Sequence, residues 1–315
     1  MIRNDDMNVV FFGTPDFAVP TLEALIKKGY NIKAVVTQTD KPKGRSKELC
    51  MPPVKECALL HNIPVIQPIK VRTPEFVEEI RSYDPDVIVV VAFGRILVKD
   101  IIDMPRFGCV NVHSSLLPKY RGAAPIQWAI VNGDKESGVT TMLMDEGLDT
   151  GDILMQEKVV LDTKETGGSL FDKLAIIGAN LLIKTLEGLA EGTVTRTPQN
   201  DLHASHVDMI KKEDGKIDFS HGAKEIECLI RGFNPWPGTY ATLGDKTIKI
   251  WDADVLEGDY DGKCGEIVDL TKDSIIVKTG KGCLAIKELQ LEGKKRMDSA
   301  SFLRGCKIEK NIFLN

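Results

Sequence analysis

The run Asp86-Val-Ile-Val-Val-Val-Ala92 constrains the fold of this chain more than any other stretch. A β-branched segment without polar alternation cannot keep one face in water. It fits a strand buried on both faces, as in a parallel sheet covered by helices on either side. The surrounding pattern agrees. Asn8–Phe12 is apolar and ends in Gly13-Thr14-Pro15-Asp16, a strand-to-helix turn. Phe17, Ala18, Leu22, Leu25 and Ile26 then recur at helical spacing, with Gly29 as the stop. Strands are predicted at Ile32–Thr37, Ile63–Ile66 and Cys109–Val112, and helices at Val54–Leu60, Glu75–Tyr83 and Pro125–Val131. Val139–Met144 and Ile153–Val160 leave no room for a helix between them, so an antiparallel pair is expected. A long helix over Gly168–Leu189 would follow. The fold class is therefore α/β, with a doubly wound, mostly parallel sheet.

The pattern changes after Gly192. Thr193–Met209 is polar and contains Pro198, as a linker would. Beyond it, one helix near Lys224–Arg231 precedes short strand patterns at Thr247–Trp251, Glu266–Leu270, Ser274–Thr279 and Cys283–Gln290. Short strands broken by Gly and Asp predict a small β-barrel. The expected organisation is a first domain over 1–192, a linker over 193–212 and a second domain over 213–315.

Composition narrows the partners. The 315 residues, 43% hydrophobic and 28% charged, carry a net charge of −5, so nucleic acid could be met only through local basic patches. Two are present: Lys41, Lys43, Arg45 and Lys47 in an early loop, and Lys294, Lys295 and Arg296 near the end. Either alone reads first as a solvated surface. No apolar run reaches the roughly 20 residues of a membrane span, and no secretory leader is expected from the acidic start at Met1–Asp6. Seven cysteines without C-x-x-C spacing predict reduced thiols in a cytoplasmic protein, with neither disulfide frame nor zinc site. The Gly13 loop lacks the G-x-G-x-x-G pattern, and no G-x-x-x-x-G-K-[ST] occurs, which sets aside nicotinamide and P-loop chemistry.

Chemistry concentrates where a buried strand stops. Asn111 and His113 are two residues apart on Cys109–Val112 and its exit, so both face one side of the strand. A loop with Pro118 and Gly122 follows, and Met144-Asp145-Glu146-Gly147-Leu148-Asp149-Thr150-Gly151-Asp152 ends another apolar strand. Taken singly, His113 suits a hydrogen-bonded strand end, Asn111 a turn and Asp149 a cap. Together they form an amide donor, an imidazole and a carboxylate at strand ends, where α/β folds bind ligands. None is an ordinary nucleophile, so the constellation predicts proton handling.

Asn111-Val112-His113-Ser114-Ser115-Leu116-Leu117-Pro118, Arg121-Gly122-Ala123-Ala124-Pro125 and Gly147-Leu148-Asp149-Thr150-Gly151-Asp152 resemble the folate-dependent formyltransferases. Within them the likeness is greatest to the members acting on methionyl-tRNA, and extends to Phe11–Phe17, Thr37–Arg45, Val89–Gly94 and Phe233–Pro237. The resemblance implies a formyltransferase variant of the Rossmann sheet, an OB-like second domain, and 10-formyltetrahydrofolate as co-substrate without metal or nicotinamide. It implies initiator methionyl-tRNA as acceptor, for translation initiation, and a cytoplasmic monomer. Asn111, His113 and Asp149 match catalytic positions. Folate is expected against Phe93, Gly94, Ile96, Leu97, Ser115, Leu116, Leu117, Pro118, Asp145 and Gly147. Phe93 stands where the family carries Tyr. The tRNA is expected at Lys41, Lys43, Arg45, Lys47, Lys211, Lys212, Lys294, Lys295 and Arg296. Two other readings stay open: one keeps the folate chemistry that the resemblance implies but transfers the formyl group to a small amine such as an amino sugar nucleotide or glycinamide ribonucleotide, and the other is a non-catalytic RNA-binding protein.

Overall fold

The run at 87–91 forms a strand in which every residue is buried, and the sheet grows outward from it. In the computed structural model, which describes residues 4–43, 48–258 and 260–315, nine of the ten described strands before residue 200 form one sheet and one hairpin. They are β1 (Asn8–Gly13), β2 (Asn31–Val36), β3 (Lys41–Lys43), β4 (Glu48–Cys50), β5 (Val65–Ile66), β6 (Val87–Val91), β7 (Cys109–His113), β8 (Glu136–Leu143) and β9 (Ile153–Val160). Seven of them make one sheet in the order β9-β8-β7-β6-β1-β2-β5. From β5 to β7 the pairings are parallel. β8 then runs antiparallel to β7, with Asn111 opposite Met142 and His113 opposite Thr140. The Leu143 N–H meets the Asp152 carbonyl where β8 turns back into β9, the expected antiparallel pair.

The sheet runs outward from β1 through β2 to β5, and the chain then crosses back to β6 on the other side of β1. Such a switch point opens a crevice at the carboxyl ends of the strands. Those ends are Gly13, Val91 and His113. One apolar layer beneath them joins Val10, Phe12, Val36, Ile88 and Val90 to Phe76, Val77 and Ile80 of the helix Pro74–Arg81. The hairpin β3–β4, with Lys41 opposite Cys50, replaces the irregular loop expected there. Its described side chains, Lys41, Pro42, Leu49 and Cys50, are all exposed, and strands of three residues are too short to show a period-2 signal.

The chain divides into two compact units that are discontinuous in sequence. One comprises Met1–Gly122, Ser137–Val159 and Phe171–His206, the other Ala123–Glu136, Val160–Leu170 and Val207–Asn315. This differs from the expected break after 192. Residues 193–206 belong with the first unit because Thr197 and Ile153 exchange main-chain hydrogen bonds, 2.8 and 2.9 Å, at the start of β9.

In the second unit β10 (Thr239–Leu243), β11 (Lys246–Leu256), β12 (Ile267–Leu270), β13 (Ile275–Lys278) and β14 (Cys283–Leu291) form an antiparallel sheet in the order β10-β11-β14-β13-β12. The chain end closes it. Thr242 of β10 and Asn315 exchange main-chain bonds, while Ile267 of β12 donates to the Ile312 carbonyl and Leu314 to that of Gly265. Both sheet edges are thereby paired, as in a small barrel. Ile248, Ile250, Ile275, Val277, Leu284 and Ile286 fill its interior with Ile226 and Ile230 of the helix Ala223–Gly232. β11 runs five residues past the expected Trp251, because register shifts around Asp252 break the alternation that a sequence pattern needs.

Candidate active site

β7 delivers Asn111 and His113 to one side near its carboxyl end, as their spacing requires. Asp149 arrives from the turn between β8 and β9. Its carboxylate lies 3.5 Å from Asn111 Nδ2 through Oδ1 and 3.7 Å from His113 Nδ1 through Oδ2. Asp149, 36 or more residues further along the chain, is thus a neighbour of Asn111 and His113 in the first unit.

The intervening loop holds two of them. His113 Nε2 lies 3.0 Å from the Tyr120 carbonyl oxygen. A carbonyl only accepts, so Nε2 carries the proton and Nδ1 is left facing Asp149. The Gly122 N–H donates to Asp149 Oδ2 at 2.8 Å. Asp149 itself has φ +54°, a left-handed conformation that L side chains seldom adopt and that a surrounding scaffold must impose. Gly151 is part of that scaffold. A Cβ there would fall 1.8 Å from the Leu143 carbonyl oxygen, so only glycine allows the turn to close this tightly. His113 and Asp149 side chains are 8% and 14% exposed, so the two groups face each other with little water between them.

Cys109, on the same strand, offers no nucleophile. Burial pushes its thiol far above the ordinary range, with Asp103 adding to the effect, and a thiol held protonated does not attack.

The residues expected at folate stand in different states. Phe93 is a core side chain, packed edge-on against Phe12 at 5.1 Å. Its main chain is what the loop presents, and its carbonyl accepts from Gln38 Nε2 at 2.9 Å. The missing phenol hydroxyl would therefore lie toward the core. Gly94 has φ +74°. Leu97 and Leu117 are buried, whereas Ile96 is 64% exposed. The Ser115 hydroxyl donates to the Lys119 carbonyl, and the Leu117 N–H to Thr140 Oγ1, which fixes the segment carrying Leu116 and Pro118. Asp145 Oδ1 accepts from the Gly147 N–H at 3.0 Å and from Thr150 at 2.7 Å.

Among the basic positions, Arg45, Lys47 and the side chain of Lys43 lie outside the described residues. Lys41 is exposed and donates to Gln38 Oε1 at 2.8 Å. Lys211, Lys212, Lys294 and Lys295 are exposed in the second unit. Arg296 is already engaged: it pairs with both Glu288 carboxylate oxygens and lies 4.7 Å over the Trp251 ring. Its charge is largely answered within the unit.

Sequence reasoning missed the Tyr120 carbonyl, the Gly122 N–H, Gln38 and Gln199. Main-chain atoms have no residue signature, and lone glutamines have none without a partner. Among the described residues no group of three or more His, Cys, Asp or Glu could hold a metal ion, and no helix is long and apolar enough to cross a membrane.

Comparison with known proteins matches this architecture. Residues 7–186 fit the family profile described as formyl transferase, and residues 209–307 the one described as formyl transferase, C-terminal domain. A protein of Lachnospira eligens described as methionyl-tRNA formyltransferase is 57% identical over 98% of this chain and 99% of its own. One of Agathobacter rectalis with the same description is 56% identical over 98% and 99%. Among solved structures, an N-formyltransferase from Helicobacter canadensis, in complex with folinic acid and dTDP-3-aminofucose, superposes with a TM-score of 0.65 at 21% identity, over 89% of this chain and 98% of that one. With both of its units accounted for in this way, the chain belongs to the formyl transferase family.

Proposed function

We propose that this protein transfers the formyl group of 10-formyltetrahydrofolate to the α-amino group of methionine on initiator methionyl-tRNA, producing formylmethionyl-tRNA for translation initiation. Near-full-length identity to relatives described as methionyl-tRNA formyltransferase supports the acceptor. The convergence of Asn111, His113 and Asp149 is the observation that carries the chemistry.

The α-nitrogen of methionine attacks the formyl carbon, a new C–N bond forms, and negative charge develops on the formyl oxygen. Asn111 supplies an amide N–H to that oxygen, the kind of donor whose removal costs about 10²–10³ in rate. His113, with Nε2–H given to Tyr120, takes up the proton lost by the amine at Nδ1. It returns that proton to the folate nitrogen as the old C–N bond breaks and its electron pair stays on that nitrogen. Asp149 faces Nδ1 and complements the imidazolium while it exists. No covalent enzyme intermediate is needed.

For folate, the main chain at Phe93 and Gly94, the segment Ser115–Pro118 and the turn at Asp145 and Gly147 would supply polar edges. Ile96, apolar and left in solvent, would supply wall for a flat ring. Lys41, Lys43, Arg45 and Lys47 would meet the acceptor end of the tRNA, and Lys211, Lys212, Lys294, Lys295 and Arg296 its arm. In this reading residues 1–192 carry the chemistry, 213–315 grip the tRNA, and the protein works as a cytoplasmic monomer.

The test is direct. Purified protein is incubated with methionyl-tRNA and 10-formyltetrahydrofolate, and formylmethionine is scored after deacylation. Formylmethionyl-tRNA should accumulate with stoichiometric tetrahydrofolate. Formylation of an amino sugar nucleotide or glycinamide ribonucleotide instead, or RNA binding with no transfer, overturns the assignment.

A further inference from the structure

Residues 120–122 hold two members of the site by main-chain atoms, through the Tyr120 carbonyl and the Gly122 N–H. The side chain between them points elsewhere. Arg121 is a guanidinium only 4% exposed, and a buried charge of this kind must be paired. It donates through Nε to Gln199 Oε1 at 3.0 Å and through a terminal nitrogen to Asp201 Oδ1 at 2.8 Å. Gln199 in turn donates through one nitrogen to the carbonyls of Asp149 and Gly151, both at 2.8 Å. The orientation of this amide is dictated. Arg121 can only donate and two carbonyls can only accept, so the oxygen must face the guanidinium and the nitrogen the turn.

We infer that Gln199 is a positioning residue for the formyl transfer: it clamps the left-handed turn at Asp149 and so sets the carboxylate against His113 Nδ1. The inference rests on Asp149 being catalytic. An L residue at φ +54° stays there only where its surroundings over-determine it. Here the Gly122 N–H holds the side chain and the Gln199 amide holds the main chain of the same residue. Thr197, exchanging main-chain bonds with Ile153, fixes where the glutamine stands. A segment with linker composition therefore returns to the first unit and supplies the amide that holds its reactive turn.

Two substitutions separate positioning from bulk. Gln199→Glu keeps an oxygen for Arg121 but sets a second oxygen against two carbonyl oxygens. Gln199→Met keeps length and removes every donor. Each is measured for melting temperature, for kcat, and for KM of tRNA and folate, alone and combined with Asp149→Ala under single-turnover conditions. We expect kcat to fall on the order of 10²-fold, the scale of a misplaced catalytic group, with both KM values within about twofold. In the Asp149→Ala background the further loss should vanish, because there is no carboxylate left to misplace. Should Gln199→Met fail to fold, Gln199→Glu, which retains the Arg121 partner, decides the matter. Wild-type kcat in a folded variant, or an undiminished loss on top of Asp149→Ala, overturns the inference. Full turnover by Asp149→Ala alone would instead overturn the reading of the site.

Discussion

His113 and Tyr120 are joined ring to main chain, Nε2 to carbonyl oxygen at 3.0 Å, and this contact settles the tautomer of the imidazole. With Nε2 committed as donor, Nδ1 is the atom available for a travelling proton. His113→Ala and Asn111→Ala should therefore each lower kcat by about 10²–10³-fold, with little change in melting temperature for Asn111, which is only half-buried. Steady-state rates of formylmethionyl-tRNA production check this, and near-wild-type kcat in either variant refutes the proposed roles.

Gly151 and Gly305 make a matched pair for stability. A Cβ on Gly151 meets the Leu143 carbonyl at 1.8 Å, whereas one on Gly305 meets nothing within 4 Å. Gly151→Ala should cost about 1–3 kcal/mol. Gly305, the last residue of the helix Ser299–Gly305, should accept Ala with unchanged stability or a gain of up to about 1 kcal/mol. Urea unfolding of the two variants discriminates, and equal destabilisation would contradict the packing described.

The buried pair in the second unit sets an acid limb of stability. Burial pushes the Glu227 carboxyl up, but hydrogen bonds and charge from Arg231 and then Lys224 outweigh it and hold the carboxyl below its usual range. A carboxyl lowered by folding contributes stability that is complete above its unfolded value of about 4.3 and fades as pH falls through the folded one. Glu227→Gln leaves Arg231 buried without its counter-charge, costing about 3 kcal/mol at neutral pH. The gap between variant and wild-type stability should narrow below about pH 4.3. Guanidinium titrations at pH 7 and pH 3.5 measure it, and a gap independent of pH removes the ion pair from the account.

Basic residues of the second unit should differ in what they give to tRNA. Lys294→Ala and Lys295→Ala, both exposed, should each reduce the slope of log Kd against log salt by roughly 0.7–0.9. Arg296→Ala should change that slope less, because Glu288 and the Trp251 ring already hold its guanidinium. Binding isotherms at several salt concentrations show the order, and a larger slope change for Arg296 would reverse the assignment.

Much of the architecture was legible in the residues. Val87–Val91 needed two apolar faces, and this alone implied a covered parallel sheet. Periods of 2 and 3.6 report burial, and burial is a local property of strands and helices. Asn111 and His113 shared a side because their spacing is two residues, whatever the rest of the chain does. The tertiary structure decided what met them. Asp149 comes within reach of Asn111 across 38 residues only because β8 pairs with β7. Gln199 reaches the turn across 50 only because residues 193–206 return to the sheet instead of spanning between units. The barrel closes at Thr242 and Asn315, whose main-chain groups exchange two hydrogen bonds. Contacts of that kind are set by where strands come to lie, and a main-chain carbonyl or N–H is chemically the same under almost any side chain.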